Sequence, residues 1–338
     1  MFGFLRFYLA WMVVITHIST ILGHVGGFAV YSFYVLSGYL MTLIMNNKYG
    51  YNVIGIKKYL LNRFLRIFPS YWFVAIFTLI GITLFSNSFL DLSKALRLPE
   101  TLHEIASNIF IFGLFPGVVE GDDAPMARLV PAAWALHVEL CFYFLIGLFL
   151  GRYKRLVIAW FFVSITYHII AIFYEYPRYA PIYSASLPFS VGALIFHYKE
   201  YIIRLLPTSS MSICLSIIIY SLYILLAGII PVTTSVYPFY LNILFMSILI
   251  CQLSTVEGNR NMTLSKIDSF LGDLSYPIYL SHWLVAVFVS SIFGLNKSID
   301  LFLVTIPFLL IFSFIIKYLI DDPIEVKRRS VSQSLRDK

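Results

Sequence analysis

The sequence predicts an all-α, polytopic transmembrane helical bundle of about ten spans, with both termini in the cytoplasm. Three observations predict it. Of 338 residues, 60% are hydrophobic and only 12% charged, against roughly 25% charged in an ordinary soluble chain. A soluble core of this length cannot hide so much apolar side chain, so lipid must face part of it. The apolar residues gather into runs of the ~17–25 residues needed to cross a bilayer. The net charge of +7 comes from Lys and Arg that fall mostly in short loops between those runs, a pattern of membrane topology rather than of nucleic-acid binding.

The candidate spans lie near 4–23, 27–46, 67–86, 132–150, 156–174, 182–198, 209–229, 236–254, 270–293 and 300–320. The first starts almost at Met1 and shows no Ala-x-Ala-like cleavage site, so a retained helix is expected rather than a signal peptide. The sixth carries Pro188 and Gly192 and is expected to be broken or tilted. Nineteen Lys and Arg fall on the side of the N-terminus, the even loops and the tail; five fall on the other, namely Lys94, Arg97, Arg128, Arg178 and Lys297. That bias places the termini in the cytoplasm. Residues 1–320 then form one transmembrane domain and 321–338 a cytoplasmic basic tail. The longest loop, 87–131, is outside and acidic on balance, with Asp91, Glu100, Glu104, Glu120, Asp122 and Asp123 against three cations. Its apolar stretch Leu102–Leu114 is expected to lie on the membrane as a short helix. Cys141, Cys214 and Cys251 sit inside apolar runs at unrelated spacings, which offers neither a disulfide framework nor a metal motif. No internal repeat is visible.

An ionisable group in hydrocarbon costs at least ~2.5–3.5 kcal/mol at a helix centre, so each one is a functional candidate. His17 lies in the first span. Arg6 precedes it by eleven residues, which is ~16.5 Å along a helix and within about 20° of the same face. A polar histidine pairing with a neighbouring helix is the plainer reading. Glu139 is expected ~10 Å deep and His17 ~9 Å deep, so the two could meet at one depth, the carboxylate orienting the imidazole as in a general-base arrangement. The alternative is a structural ion pair, with His137 a poor partner because residues two apart point away from each other. His282 could line a polar cavity or make a bundle hydrogen bond, and His168 reads as structural. Arg63 and Arg66, at i and i+3 of a helix, share a face and suit phosphates, although topogenic charge alone would also explain them.

Taken in order, these segments resemble the acyltransferase-3 family of membrane acyltransferases. Arg6 and His17 fit its Arg-x10-His pattern. Tyr31-Ser-Phe-Tyr-Val-Leu-Ser-Gly-Tyr-Leu40 is similar to its second span. Asn62-Arg-Phe-Leu-Arg-Ile-Phe-Pro-Ser-Tyr-Trp72 resembles its Arg-x-x-Arg segment. Trp134-Ala-Leu-His-Val-Glu139 is similar to Trp-Ser-Leu-x-Val-Glu, with Ala135 where serine is usual. Leu271-Gly-Asp-Leu-Ser-Tyr-Pro-Ile-Tyr-Leu-Ser-His-Trp283 resembles Leu-Gly-x-x-Ser-Tyr-x-x-Tyr-Leu-x-His.

The resemblance implies transfer of an acyl group, usually acetyl, from cytoplasmic acyl-coenzyme A to a hydroxyl of a cell-surface or lipid-linked polysaccharide such as an O-antigen, capsule or exopolysaccharide. It implies a stand-alone form in the bacterial inner membrane. His17 and Glu139 would be catalytic, and Arg6, Arg63 and Arg66 would hold the coenzyme. Ser37, Tyr71, Trp72, Trp134 and His282 would line the substrate cavity. Acetyl-coenzyme A would be the donor substrate, with no permanently bound cofactor, no metal and no nucleic-acid partner; self-association is left open. Two rivals remain at the level of sequence. A proton-coupled transporter would also use intramembrane His and Glu, but many transporters carry inverted repeats. A related acyltransferase acting on a lipid or small molecule would share every motif. A non-catalytic scaffold fits least, because it has no need of charge in the bilayer.

Overall fold

A computed structural model describes residues 1–114, 125–229, 237–256 and 262–333, and these are helical almost throughout. The helices are α1 (Phe2–Ile18), α2 (Val25–Ile44), α3 (Val53–Leu92), α4 (Leu102–Phe110), α5 (Ala133–Leu145), α6 (Lys154–Phe173), α7 (Ile182–Ile203), α8 (Ser210–Ala227), α9 (Tyr237–Val256), α10 (Met262–Phe293), α11 (Ile299–Ile316) and α12 (Asp322–Gln333). Short π-type turns continue α2 through Tyr49, α5 through Leu150 and α11 through Asp321. Each of the ten expected spans falls on one helix. Eight of these, among the described residues, are long and apolar enough to cross a membrane by themselves; the other two are α1, shorter at 17 residues, and the 22-residue α7.

The bundle has two ends. The start of α1 shares one end with the tips of α2, α5 and α7, where the Gly151 carbonyl accepts from Asn46 Nδ2 (3.1 Å) and pairs with His197 Nε2 (3.0 Å). The end of α1 shares the other with the tip of α8, where His24 N–H donates to the Gly228 carbonyl. Helix α2 is the most enclosed, while α6, α8 and α11 are peripheral and expose wide apolar faces. Apolar contact alone gives little preference between helices and lipid, so close backbone approach and polar bonds must fix the packing. Ser32 Oγ meets Tyr220 OH at 2.6 Å and Asn242 Nδ2 donates to the Phe28 carbonyl at 3.0 Å, tying α2 to α8 and α9.

Three sequence expectations need correction. Helix α7 is continuous across Pro188 and Gly192 rather than broken. Its glycine serves contact instead: a Cβ on Gly192 would lie 2.1 Å from the Val35 carbonyl oxygen, and one on Gly38 would lie 2.3 Å from that of Phe189. The two backbones of α2 and α7 therefore touch. Helix α1 ends at Ile18, not near Gly23. Ser19 Oγ donates to the Ile15 carbonyl (2.7 Å) and Thr16 Oγ1 accepts from Gly26 N–H (2.7 Å), so local hydroxyls complete a tight turn that hydropathy reads as more span. Helix α3 begins at Val53, well before the expected entry, and carries Lys57, Lys58, Arg63 and Arg66 without a break into the span.

The α2–α7 contact yields a prediction. Gly192→Ala should lower the stability of the detergent-solubilised protein by about 1–3 kcal/mol, the usual cost of overpacking. An unchanged midpoint in a thermal melt would mean that the two helices are free to move apart.

Candidate active site

The sequence-predicted site residues gather at two places rather than one. The first is a narrow cavity of about 120 Å³ toward the N-terminal end of the bundle. Arg6, Arg63, Arg66, Ser37 and Glu139 line it, with Tyr143, Tyr276 and Tyr279. Arg6 comes from α1 and packs over Gly272 of α10, where a Cβ would stand 3.0 Å from its Nη2. The glycine of the Leu271-Gly motif therefore makes room for a guanidinium. Arg66 lies over the Tyr276 ring at 5.7 Å, and Tyr276 OH donates to the Ile67 carbonyl at 2.8 Å. Glu139 accepts from Ser37 Oγ (2.8 Å) and from Tyr143 OH (2.9 Å), and it feels the charges of Arg63 and Arg6. Three cations face one carboxylate here, so an added anion would be drawn in.

The second place is the far end of α1. His17 Nδ1 lies 2.8 Å from His282 Nε2, and the two rings are within 10° of parallel. His282 Nδ1 lies 2.8 Å from the Tyr279 carbonyl oxygen, which can only accept. The proton of His282 therefore sits on Nδ1, and its Nε2 carries a lone pair. That lone pair accepts from His17 Nδ1–H. With both rings neutral, His17 Nε2 is left as a bare base. A chain of contacts continues outward, with His17 against Trp283 (5.2 Å between centroids) and Lys297 Nζ over the Trp283 ring at 4.8 Å.

This arrangement corrects the expected partnership of His17 with Glu139. The imidazole is oriented by His282, and Glu139 belongs to the arginine cavity. The depth argument failed because α1 ends at Ile18, which leaves His17 one residue from its helix terminus instead of ~9 Å inside it. Other residues are also placed differently from expectation. Tyr71 and Trp72 do not line the cavity. Their OH and Nε1 donate to the carbonyls of Asn108 (2.8 Å) and Ile109 (2.9 Å) and clamp α4. Trp134 is buried edge-on against Tyr179. His168 is structural, between Ser184 and Tyr240.

Above the histidine pair lies a wider cavity of about 590 Å³, lined by Asp91, Lys94, Arg128 and Lys297 among others. Sequence reading missed the device that holds Arg128 there. Helix α4 turns its apolar side outward through Leu102, Ile105, Ile109 and Phe110. Its polar side is buried and grips residues 127–129. Glu104 Oε1 accepts from Ala127 N–H (2.8 Å) and from Arg97 Nη2 (2.6 Å); Asn108 bonds the Ala127 carbonyl and Leu129 N–H, both at 2.8 Å. A Glu four residues before an Asn marks one helix face, the only sequence signal for this latch. Glu120, Asp122 and Asp123 of the same loop lie outside the described residues. Burial lowers Arg128 to about 10 and leaves it charged at neutral pH. No group of three or more metal-ligating side chains occurs among the described residues.

A family profile described as acyltransferase domain matches residues 2–321. The chain belongs to the acyltransferase-3 family and is a multi-pass membrane acyltransferase. No curated protein and no solved structure matches it.

The latch gives a test with a defined sign. Burial alone would raise Glu104, but the N–H groups of Ala127 and Glu100 and the Arg97 charge hold its carboxyl below the ordinary range. A depressed folded-state value stabilises above the unfolded value, about 4.3, and that contribution is lost as pH falls through the folded value. Glu104→Ala should cost about 3–5 kcal/mol, because it leaves Arg97 uncompensated. Glu104→Gln should remove part of the acid sensitivity of the melting temperature. Identical pH profiles for the Gln variant and the wild type would rule out the latch as a titrating element.

Proposed function

We propose that the protein transfers an acyl group, acetyl first among them, from acyl-coenzyme A at the N-terminal, cytoplasmic end of the bundle to a hydroxyl of a cell-surface or lipid-linked polysaccharide at the opposite end. The bacterial inner membrane is the setting that this reading needs. One observation carries it. A histidine with a bare Nε2, oriented by a second histidine, stands at one end of α1, and an arginine-lined cavity stands at the other.

The Arg6 to His17 interval, ~16.5 Å of helix, suits a ligand with anionic groups at one end and its reactive atom on a long arm. Arg63 and Arg66, sharing a helix face, would take phosphate oxygens. The cavity they line reaches Tyr279, whose carbonyl holds His282. In direct transfer, the acceptor oxygen attacks the thioester carbonyl as its proton passes to His17 Nε2. The C–S bond breaks, and His17 returns the proton to the departing thiolate. His282 keeps His17 in the basic tautomer and steadies the imidazolium, the part that a carboxylate takes in a Ser-His-Asp triad. Arg128 and Lys297 favour an acceptor that carries negative charge.

The test is labelled acetyl-coenzyme A with protein in proteoliposomes, paired with mass spectrometry of surface glycans from cells with and without the gene. His17→Ala should lower transfer by about 10²–10⁴-fold, the range of general-base losses. His282→Ala should lose nearly as much, and the double variant no more than the worse single one, since the two act as a unit. His17→Ala and Glu139→Gln should multiply, because they sit in separate clusters. Wild-type turnover per folded molecule in His17→Ala would remove the base and sink the proposal.

A further inference from the structure

The tail expected as a plain basic extension begins as α12, which folds back along the first turns of α3. Asn62 Nδ2 donates to the Arg328 carbonyl at 3.4 Å. The Asn62 Oδ1 accepts from two guanidinium groups at once, Arg63 Nη2 at 2.8 Å and Arg328 Nη2 at 3.2 Å. Between the helices lies a cavity of about 200 Å³ lined by Lys48, Asn62, Arg63, Glu325, Arg328 and Arg329, among others. Four cations meet one carboxylate there, and Glu325 is already engaged by Arg328 (2.5 Å) and Arg329 (3.3 Å). The Nε atoms of Arg63 and Arg328 are buried with no hydrogen-bond partner. Buried donors without acceptors are costly, and a wall this rich in guanidinium groups is built for an anion of high charge.

Arg63 lines this cavity and the arginine cavity beneath the histidine pair. One ligand that passes Arg63 would occupy both. An acyl-coenzyme A has that layout, with the thioester arm at one end, a diphosphate in the middle and a 3′-phosphorylated nucleoside at the other end. We propose that the α3–α12 cavity takes the 3′-phosphate of the donor, so that Lys48 and the arginines of α12 close the nucleotide end of the site. This rests on the acyl-coenzyme A reading above. A phosphomonoester carries about −1.5 to −2 charges at neutral pH, which matches the excess of three positive charges in the cavity wall. An anionic lipid headgroup of the cytoplasmic leaflet offers the same chemistry, and the experiment separates the two.

Binding of coenzyme A and of 3′-dephospho-coenzyme A to the full-length protein is measured by calorimetry in nanodiscs of neutral lipid. Hydrogen bonds to charged groups are worth about 1.5–3 kcal/mol, so wild type should prefer coenzyme A by about 10- to 100-fold. Arg328→Gln should reduce that ratio toward one and leave the Kd of the dephospho ligand unchanged. Lys48→Gln, outside α12, should do the same and guards against loss of α12 packing. Equal affinity of wild type for both ligands overturns the subsite and leaves the acyl-coenzyme A reading standing. Failure to bind either ligand overturns that reading instead. A preference that survives both substitutions places the phosphate elsewhere and also overturns the subsite. Equal affinity together with an Arg328-dependent rise in melting temperature on adding phosphatidic acid assigns the cavity to a lipid headgroup.

Discussion

The close approach of α1 to α10 is the contact on which the rest of the site depends. A Cβ on Gly3 would stand 1.8 Å from the Asp268 carbonyl oxygen, and Phe4 N–H donates to Asp268 Oδ1 at 2.9 Å. Fourteen residues further along each helix, His17 meets His282. Equal counts on two helices running the same way mean equal rise, about 21 Å, so the glycine contact at one end sets the register of the imidazole pair at the other. Gly272 then clears the space into which Arg6 folds. A side chain at Gly3 would therefore displace both clusters, though it touches neither the histidines nor the cavity.

Inside the bundle most polar groups are matched at short range, as the bonds around Glu139 and those joining Ser32, Tyr220 and Asn242 show. This is what a medium without water demands. Against that background, four buried guanidinium Nε atoms among the described residues have no hydrogen-bond partner, those of Arg63, Arg97, Arg128 and Arg328. Arg97 is held by Glu104 in the α4 latch, and the other three each line a cavity. Arg63 and Arg328 flank the end proposed for the donor, and Arg128 the end proposed for the acceptor. Positive charge at both ends would draw anionic substrates from both sides of the membrane.

The helices were legible because hydropathy and loop charge are properties of single segments. Every expected span from α1 to α11 falls on a helix, with α4 as the surface helix between spans. What escaped depends on contacts between segments. Gly192 reads as a helix breaker until α2 is seen lying against it. Tyr71 and Trp72 carry family motif positions, but the carbonyls they reach belong to α4, 37 residues on. Glu104 counts as a loop charge in the sequence, yet four donors converge on it in the fold. His17 and Arg6 were found correctly as one helical face, because their relation is internal to α1. The partner of His17 was not, because its depth rested on a helix end that Thr16 and Ser19 move by a turn.

That a histidine and not a carboxylate orients His17 follows from where the pair sits. Lys297 and Arg128 act on His17 electrostatically from the adjoining cavity. A carboxylate in the place of His282 would face the same two cations, and its attraction to them would compete with its hold on the imidazole. It would also bring a full charge to a position that is otherwise wholly buried, at the cost that any buried ion incurs. A neutral imidazole avoids both difficulties. Its Nδ1–H is fixed by a backbone carbonyl that cannot titrate, so its Nε2 always presents a lone pair. In the proposed reaction the charge would then appear only when His17 takes a proton, at the moment when a neighbouring anion could answer it.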